Sequence, residues 1–244
     1  MKIARAMLLA AGFGKRMRPL TLHRPKPLIE VAGKALIDYA YDLVRAYGVE
    51  TIVVNGHWLA GQIRDWAKTK TPPPEMKFSD ESDAILETGG GLKKALPMLG
   101  EEAFFVLNSD CILLDGQTPA LSRLANAWDD ARMDCLVLTV PLGRARGYAG
   151  TGDFVIDAKG KVRRCTGGEP GEIFTGVYVV HPRLFAHAPD GAFSMNVLFD
   201  VAMAQGRMYA LSHDGLWLHV GTPLSIAPAE AALTDWMHAG RTSP

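Results

Sequence analysis

The first 140 residues alternate between short apolar runs and longer stretches with helical periodicity, and this alternation restricts the fold most. "ARAMLLA", "TIVVN", "EMKFSDE", "AFFVLNSD" and "DCLVLTV" read as strands. The first and fourth are apolar enough to be buried on both faces. Between them, "ALIDYAYDLVRAYG", "WLAGQIRDWAKTK", "GGLKKALPML" and "TPALSRLANAWDDAR" carry helical spacing. Gly48 stops the first of these helices and the prolines of "TPPPE" stop the second. Thr118 is the expected N-cap of the fourth, with Pro119 at its first helical position. The order predicts an α/β fold: a Rossmann-like, mixed and mostly parallel sheet with helices on both faces. In such sheets the ligand crevice lies beyond the carboxyl ends of the strands. The polar ends of "LLAAG" and "VLNSD" should therefore face one crevice.

After Pro141 the pattern changes. "PLGRARGYAGTGD" is glycine-rich and reads as a loop, and "GDFVIDAKGKVRRC" as a hairpin turning near Lys159-Gly160. "EIFTGVYVV" and "WLHVGTP" read as strands, "SMNVLFDVAMAQG" and the tail from "PLSIAPAEAALTDWMHAG" as helices. This part should extend the sheet and cover the crevice. No linker interrupts the chain, so one domain is expected over 1–244, with lobes 1–140 and 141–244.

Composition removes several function classes. The formal net charge is zero, which disfavours nucleic acid as a partner, because duplex binders carry a basic excess. Three cysteines stand far apart without CxxC spacing and read as buried hydrophobes in a reducing compartment. The N-terminal apolar stretch is about seven residues, against the ~20 that a membrane span needs. It reads as a first strand, not a signal peptide, so a cytoplasmic protein that does not bind membrane is expected.

Directly behind that strand comes "GFGKRMRPLTLHRPKPL". It fails the dinucleotide fingerprint, because Met17 holds the third glycine position, and it fails the P-loop, because Arg16 follows Gly14-Lys15. What remains suits a polyphosphate. Gly12 and Gly14 let backbone N–H groups approach phosphate closely. Arg16 offers a planar fork, and Lys26 a compact charge held between two prolines.

This stretch closely resembles the signature of the sugar-1-phosphate nucleotidyltransferases, with the pattern L-A-A-G-x-G-x-R-x-x-P-L-T-x-x-x-P-K-P-L. "LETGGG", "NSD", "GDF", "FTGVYVVHP" and "VGTP" follow in family order. "LETGGG" and the short carboxyl end are most similar to the bacterial N-acetylmuramate α-1-phosphate uridylyltransferases. The resemblance implies the nucleotide-diphospho-sugar transferase fold and nucleotidyl transfer from a nucleoside triphosphate, UTP first, to a sugar-1-phosphate. Guanylyl transfer to mannose- or heptose-1-phosphate is the neighbouring alternative.

It further implies catalytic roles for Arg16, Lys26 and Asp110. Nucleotide contacts are expected from Leu9, Ala10, Ala11, Gly12, Gly14, Lys15, Glu81, Thr88 and Gly89, and sugar contacts from Asn108, Asp153, Thr175 and Gly176. The cofactor is expected to be Mg²⁺, with Mn²⁺ as the alternative, held by Asp110 and His219. The family places an aspartate where this chain has His219. That residue could ligate beside Asp110, favour a softer metal, or donate to phosphate. Glu81 as an acceptor suits an N–H on uracil or guanine alike. Asp153 reads equally as a sugar acceptor or a hairpin cap, and Glu87 as a contact or a helix N-terminal charge. The chain would act as a monomer or small homo-oligomer. A non-catalytic nucleotide-sugar sensor on the same fold is the alternative from a different class. His219 favours it, and the intact set Gly12, Gly14, Arg16, Lys26 and Asp110 weighs against it.

Overall fold

Ala6 and Leu8 of β1 (Arg5–Leu9) enter one apolar cluster and Met7 enters another, so this strand is buried on both faces. That explains its continuous apolar run. The computed structural model describes residues 2–148 and 150–240. Past β1 the chain forms short 3-10 turns and a hairpin, β2 (Glu30–Val31) and β3 (Lys34–Ala35). Helix α1 (Leu36–Tyr47) follows and ends at Gly48, whose φ of +87° suits glycine. Next come β4 (Thr51–Gly56), α2 (Ala60–Lys68), β5 (Glu75–Asp80), α3 (Glu87–Leu99) and β6 (Phe104–Asn108). β7 (Cys111–Leu114), α4 (Ala120–Ala127) and β8 (Cys135–Pro141) complete the alternating part.

The later part holds β9 (Ala145–Arg146), β10 (Phe154–Ile156), β11 (Val162–Arg164) and the long β12 (Glu172–Val180). It closes with α5 (Asn196–Ala204), β13 (Met208–Ser212), β14 (Leu216–His219) and α6 (Ile226–His238). The main sheet runs β11-β10-β12-β6-β1-β4-β5, with β8 and then β13 continuing from β12. Strands β6, β1, β4 and β5 are mutually parallel, as are β8 and β13, while β12 is antiparallel to β6, β8 and β10. The sheet is therefore mixed and mostly parallel. Helices α1, α2 and α4 cover one face, and α3 and α5 the other. A small sheet, β7-β14-β9, packs its Ile112, Leu114, Leu216 and Leu218 against α6.

Three local features depart from expectation. Thr118 does not cap α4. The helix begins at Ala120, whose N–H donates to Asp115 Oδ1 at 2.7 Å, so a carboxylate from the end of β7 does the capping. The stretch read as a loop after Pro141 contains a 3-10 turn and β9, which pairs with Trp217 and Leu218 of β14. Two residues are too few to leave a periodicity. Ala149 of that stretch lies outside the described residues, as do the ends of the 1–244 span. Finally, β12 slips register between Phe174 and Tyr178, around Gly176 with φ +84°.

His213 follows β13 and is buried, with Nε2 3.1 Å from the Leu114 carbonyl and Nδ1 without a hydrogen-bond partner among the described residues. Burial, ahead of every other influence, pulls its pKa down to about 4. A histidine lowered in the fold favours folding above its ordinary value near 6.5, and this contribution fades as pH falls toward about 4. Denaturant unfolding should thus lose about 2 kcal/mol from this ring between about pH 7 and about pH 5. His213→Gln should flatten that part of the profile; an unchanged slope would remove His213 from the account.

Candidate active site

The crevice opens where the carboxyl ends of β1, β4 and β6 meet, between the glycine loop and the start of α3. Ser109 sutures two of these ends: its N–H and Oγ both donate to the Leu9 carbonyl, at 3.3 and 2.5 Å. The Ala10 N–H donates to Asn55 Oδ1 at 2.7 Å, which ties the loop's first residue to the end of β4.

The two loop glycines differ. Gly14 has φ +59°, and a Cβ there would lie 2.9 Å from Thr21 Cγ2 and 3.0 Å from Lys26 Cβ. The loop closes on itself at that point. Thr21 Oγ1 donates to the Gly14 carbonyl at 2.8 Å, and Trp58 Nε1 donates to the Thr21 carbonyl at 3.0 Å. Phe13 stands edge-on to His57 with ring centroids 5.0 Å apart, so His57 and Trp58 grip the loop from β4. A Cβ on Gly12, by contrast, would meet nothing within 4 Å. Its bare backbone faces the open crevice. Among the described residues, the N–H groups of Ala11, Gly12, Phe13 and Gly14 donate to no acceptor of the chain. Consecutive free N–H groups in a glycine turn form a concavity suited to an anion.

An ion pair joins the turn's side of the crevice to the segment just after β6. Lys26 Nζ lies 3.1 Å from Asp110 Oδ2, with the lysine side chain 11% exposed and the aspartate 39%. Asp110 follows β6, and its Oδ1 has no hydrogen-bond partner among the described residues. Antiparallel pairing of β7 and β14 sets His219 opposite Cys111, beside Asp110. Burial lowers the His219 pKa, Asp110 opposes that, and the cations Lys26 and Arg16 add to it. The ring is therefore neutral near pH 7. Arg16 is exposed on the 3-10 turn after Gly14, and Lys15 lies 5.3 Å from the Phe13 ring centre.

A profile of the MobA-like NTP transferase domain matches residues 6–226. The N-acetylmuramate α-1-phosphate uridylyltransferase of Caulobacter vibrioides is 42% identical over 94% of this chain and 97% of its own. That of Neisseria meningitidis serogroup B is 33% identical, over 95% and 99%. The chain belongs to the MobA-like NTP transferases, among the sugar-1-phosphate nucleotidyltransferases. A UDP-glucose pyrophosphorylase crystallised with UDP-glucose shares the fold, with TM-score 0.76 at 16% identity over 96% of this chain and 99% of that one.

The crevice of the transferase is lined by Leu9, Ala10, Ala11, Gly12, Gly14 and Lys26 on one side and by Asn108 and Asp110 on the other. Asn108 presents an amide that bonds nothing else among the described residues. Several other expected contacts turn elsewhere. Glu81 is fully buried behind Asn55, accepting from Asn55 Nδ2 at 2.6 Å and from the Leu86 N–H at 3.4 Å. Burial pushes its carboxyl pKa up, and those two donors partly offset the rise. Thr88 lines the crevice, yet its hydroxyl accepts from the Met195 N–H at 2.8 Å. Gly89 is a packing glycine: its N–H donates to the Phe193 carbonyl, and a Cβ would strike the Phe193 ring. Thr175 is buried in the β12 irregularity and donates to the Leu138 carbonyl at 2.8 Å. Gly176 backs onto Asn108, whose Cβ would be 2.9 Å from an added methyl. Asp153 Oδ2 accepts from the Phe174 N–H at 2.8 Å and anchors the start of β12.

Glu87, read in the sequence as a contact or a helix N-terminal charge, is an exposed carboxylate on the crevice rim at the start of α3; it holds φ +58°, a backbone that costs a non-glycine residue of order 1 kcal/mol. The feature that the sequence reading passed over is the Lys26–Asp110 pair itself, which no spacing of 84 residues could announce.

The two glycines separate fold from ligand. Gly12→Ala should leave the melting temperature near wild type while weakening triphosphate binding about tenfold or more. Gly14→Ala should lower stability by about 1–2 kcal/mol, from its positive φ and close neighbours. Thermal melts and calorimetric titration check both; unimpaired nucleotide binding by Gly12→Ala would remove the loop from the binding site.

Proposed function

We propose that the transferase moves a uridylyl group from UTP to N-acetylmuramate 1-phosphate, giving the nucleotide sugar and pyrophosphate. The observation that carries this reading is the full-length, 42% identical relative of that activity, combined with an unspent phosphate-binding set in the crevice. In this reading an oxygen of the sugar phosphate attacks the α-phosphorus, the bond to the β-phosphate oxygen breaks, and pyrophosphate leaves. The chain needs no nucleophile of its own. Its work is positioning and charge neutralisation.

The N–H groups from Ala11 to Gly14 cradle the phosphates, and Arg16 holds the departing pyrophosphate. Lys26 turns from Asp110 to the α-phosphate and the incoming sugar phosphate. Residues 1–140 hold the nucleotide, and residues 141–244, with Asn108 on the shared edge, hold the sugar.

Asp110 fits a divalent cation: it offers a partly exposed carboxylate with one oxygen unbonded among the described residues. No cluster of three metal-ligating side chains exists among the described residues, so phosphates and water must supply most ligands, as Mg²⁺ accepts. His219 offers a neutral nitrogen beside it, a donor that suits Mn²⁺ better. A bound cation would withdraw charge from the phosphate oxygens.

The direct test measures pyrophosphate release from each of the four nucleoside triphosphates against a panel of sugar-1-phosphates, with Mg²⁺ or Mn²⁺. UTP with N-acetylmuramate 1-phosphate should be fastest. GTP with a mannose- or heptose-1-phosphate as the best pair would replace this reading. Lys26→Ala should cut kcat/KM by about 10²–10³-fold, the usual cost of losing one charge-stabilising group. Asp110→Asn should reduce metal-dependent turnover more than triphosphate affinity. His219→Asp should raise the ratio of Mg²⁺- to Mn²⁺-supported rates, and an unchanged ratio would show that the ring is no ligand.

A further inference from the structure

Glu81, the residue after β5, is a fully buried carboxylate, and no cation forms an ion pair with it among the described residues. Lys94 and His57 act on it only weakly, after burial, Asn55 and Leu86, and ionisable groups are seldom buried without a directly paired charge, because that is costly. Its surroundings are built around it. Gly91 leaves room for it, since a Cβ there would lie 2.7 Å from Glu81 Oε1. The Glu81 N–H donates to the Gly56 carbonyl, and the Glu81 carbonyl lies 2.6 Å from His57 Nδ1.

Two hydrogen bonds in series lead from this carboxylate to the nucleotide loop. Asn55 Nδ2 donates to Glu81 Oε1 at 2.6 Å, and Asn55 Oδ1 accepts from the Ala10 N–H at 2.7 Å. An asparagine amide can sit two ways round. The Ala10 N–H can only donate and an ionised carboxylate can only accept, so one orientation satisfies both ends. Reversed, the amide would set donor against donor at Ala10 and acceptor against acceptor at Glu81. The second oxygen, Oε2, accepts from the Leu86 N–H at 3.4 Å, on the residue preceding α3. One carboxylate thus touches the supports of both crevice walls.

We propose that Glu81 is a positioning residue for triphosphate binding: it orients the Asn55 amide, which holds the Ala10 N–H and starts the free N–H run at Ala11. This rests on the crevice being the triphosphate site. Glu81 touches no substrate in this account and acts through Asn55.

The test exchanges the two groups. Asn55→Asp alone sets two carboxylates face to face and should raise the KM and Kd for UTP about tenfold or more. Adding Glu81→Gln swaps amide and carboxylate, restores a donor–acceptor contact, and keeps an acceptor for Ala10. The double variant should return both constants to within about threefold of wild type, with kcat and the KM for sugar phosphate little changed throughout. Wild-type UTP affinity in Asn55→Asp would overturn the proposal. So would a double variant that binds no better than the single one, or that fails to fold. If Asn55→Asp itself does not fold, a folded, UTP-binding double variant still supports the relay. Losses confined to melting temperature and kcat would show a merely structural role. If wild-type protein binds none of the four triphosphates, the parent reading fails; if it binds UTP and the swap does not restore affinity, only the relay fails.

Discussion

The contact between Lys26 and Asp110 joins the loop after the first strand to the turn after β6, and the crevice is organised around it. A lysine that is nearly buried needs a counter-charge, since desolvation of an unpaired ammonium is costly. Asp110 supplies it in the free protein. The pair is therefore a neutral resting arrangement of two groups that the proposed reaction uses separately. A phosphate can replace the carboxylate as partner of Lys26, and a divalent cation can replace the ammonium as partner of Asp110. In the proposed reaction a triphosphate carrying its cation would satisfy both exchanges together, and nucleotide and metal entry would be coupled without any further device.

The parts of the site legible in the sequence are those where chemistry and chain position coincide. Gly12 and Gly14 sit directly behind a buried strand, so their placement at the crevice follows from the α/β order alone; Lys26, held between two prolines, is brought back to them by the close packing of the loop on Gly14. Glu81, Thr88, Gly89 and Thr175 lie at the right ends of the right elements, yet their polar groups are taken by other partners. Thr88 and Gly89 are held by the segment around Phe193 and Met195, more than a hundred residues away. Thr175 turns inward because β12 slips register there. Strand periodicity says which residues share a face; it cannot foresee a bulge or a partner from a distant loop.

The three consecutive glycines at the start of α3 illustrate the same point. Glycine inside a helix costs about 1 kcal/mol relative to alanine, so a triplet is a substantial local penalty. Each one is explained by a different neighbour: Gly89 by the Phe193 ring, Gly90 by the Gly191 carbonyl and Gly91 by the Glu81 carboxylate. The helix is thereby drawn against the 191–195 segment and against the supports of the nucleotide loop at once. The glycines of the motif bring two walls close enough to form a crevice, and Glu87 and Thr88 beside them line it.

The charge balance of that crevice is set by His219. Where the resemblance implies a second carboxylate, this chain carries His219, whose pKa is lowered by burial and by Lys26 and Arg16 against the pull of Asp110. Asp110 is then the carboxylate just after β6 whose charge must be matched, and Lys26 already matches it. Arg16 and the free N–H groups add positive potential on the loop side, with the exposed Glu87 carboxylate on the opposite rim. A second aspartate would cancel part of that potential and compete with the phosphates for the cation. In the proposed reaction, histidine there would strengthen the attraction for the triphosphate and weaken the protein's own hold on a cation. The cation should therefore follow the nucleotide into the site rather than wait for it, and metal affinity in the absence of nucleotide should be low.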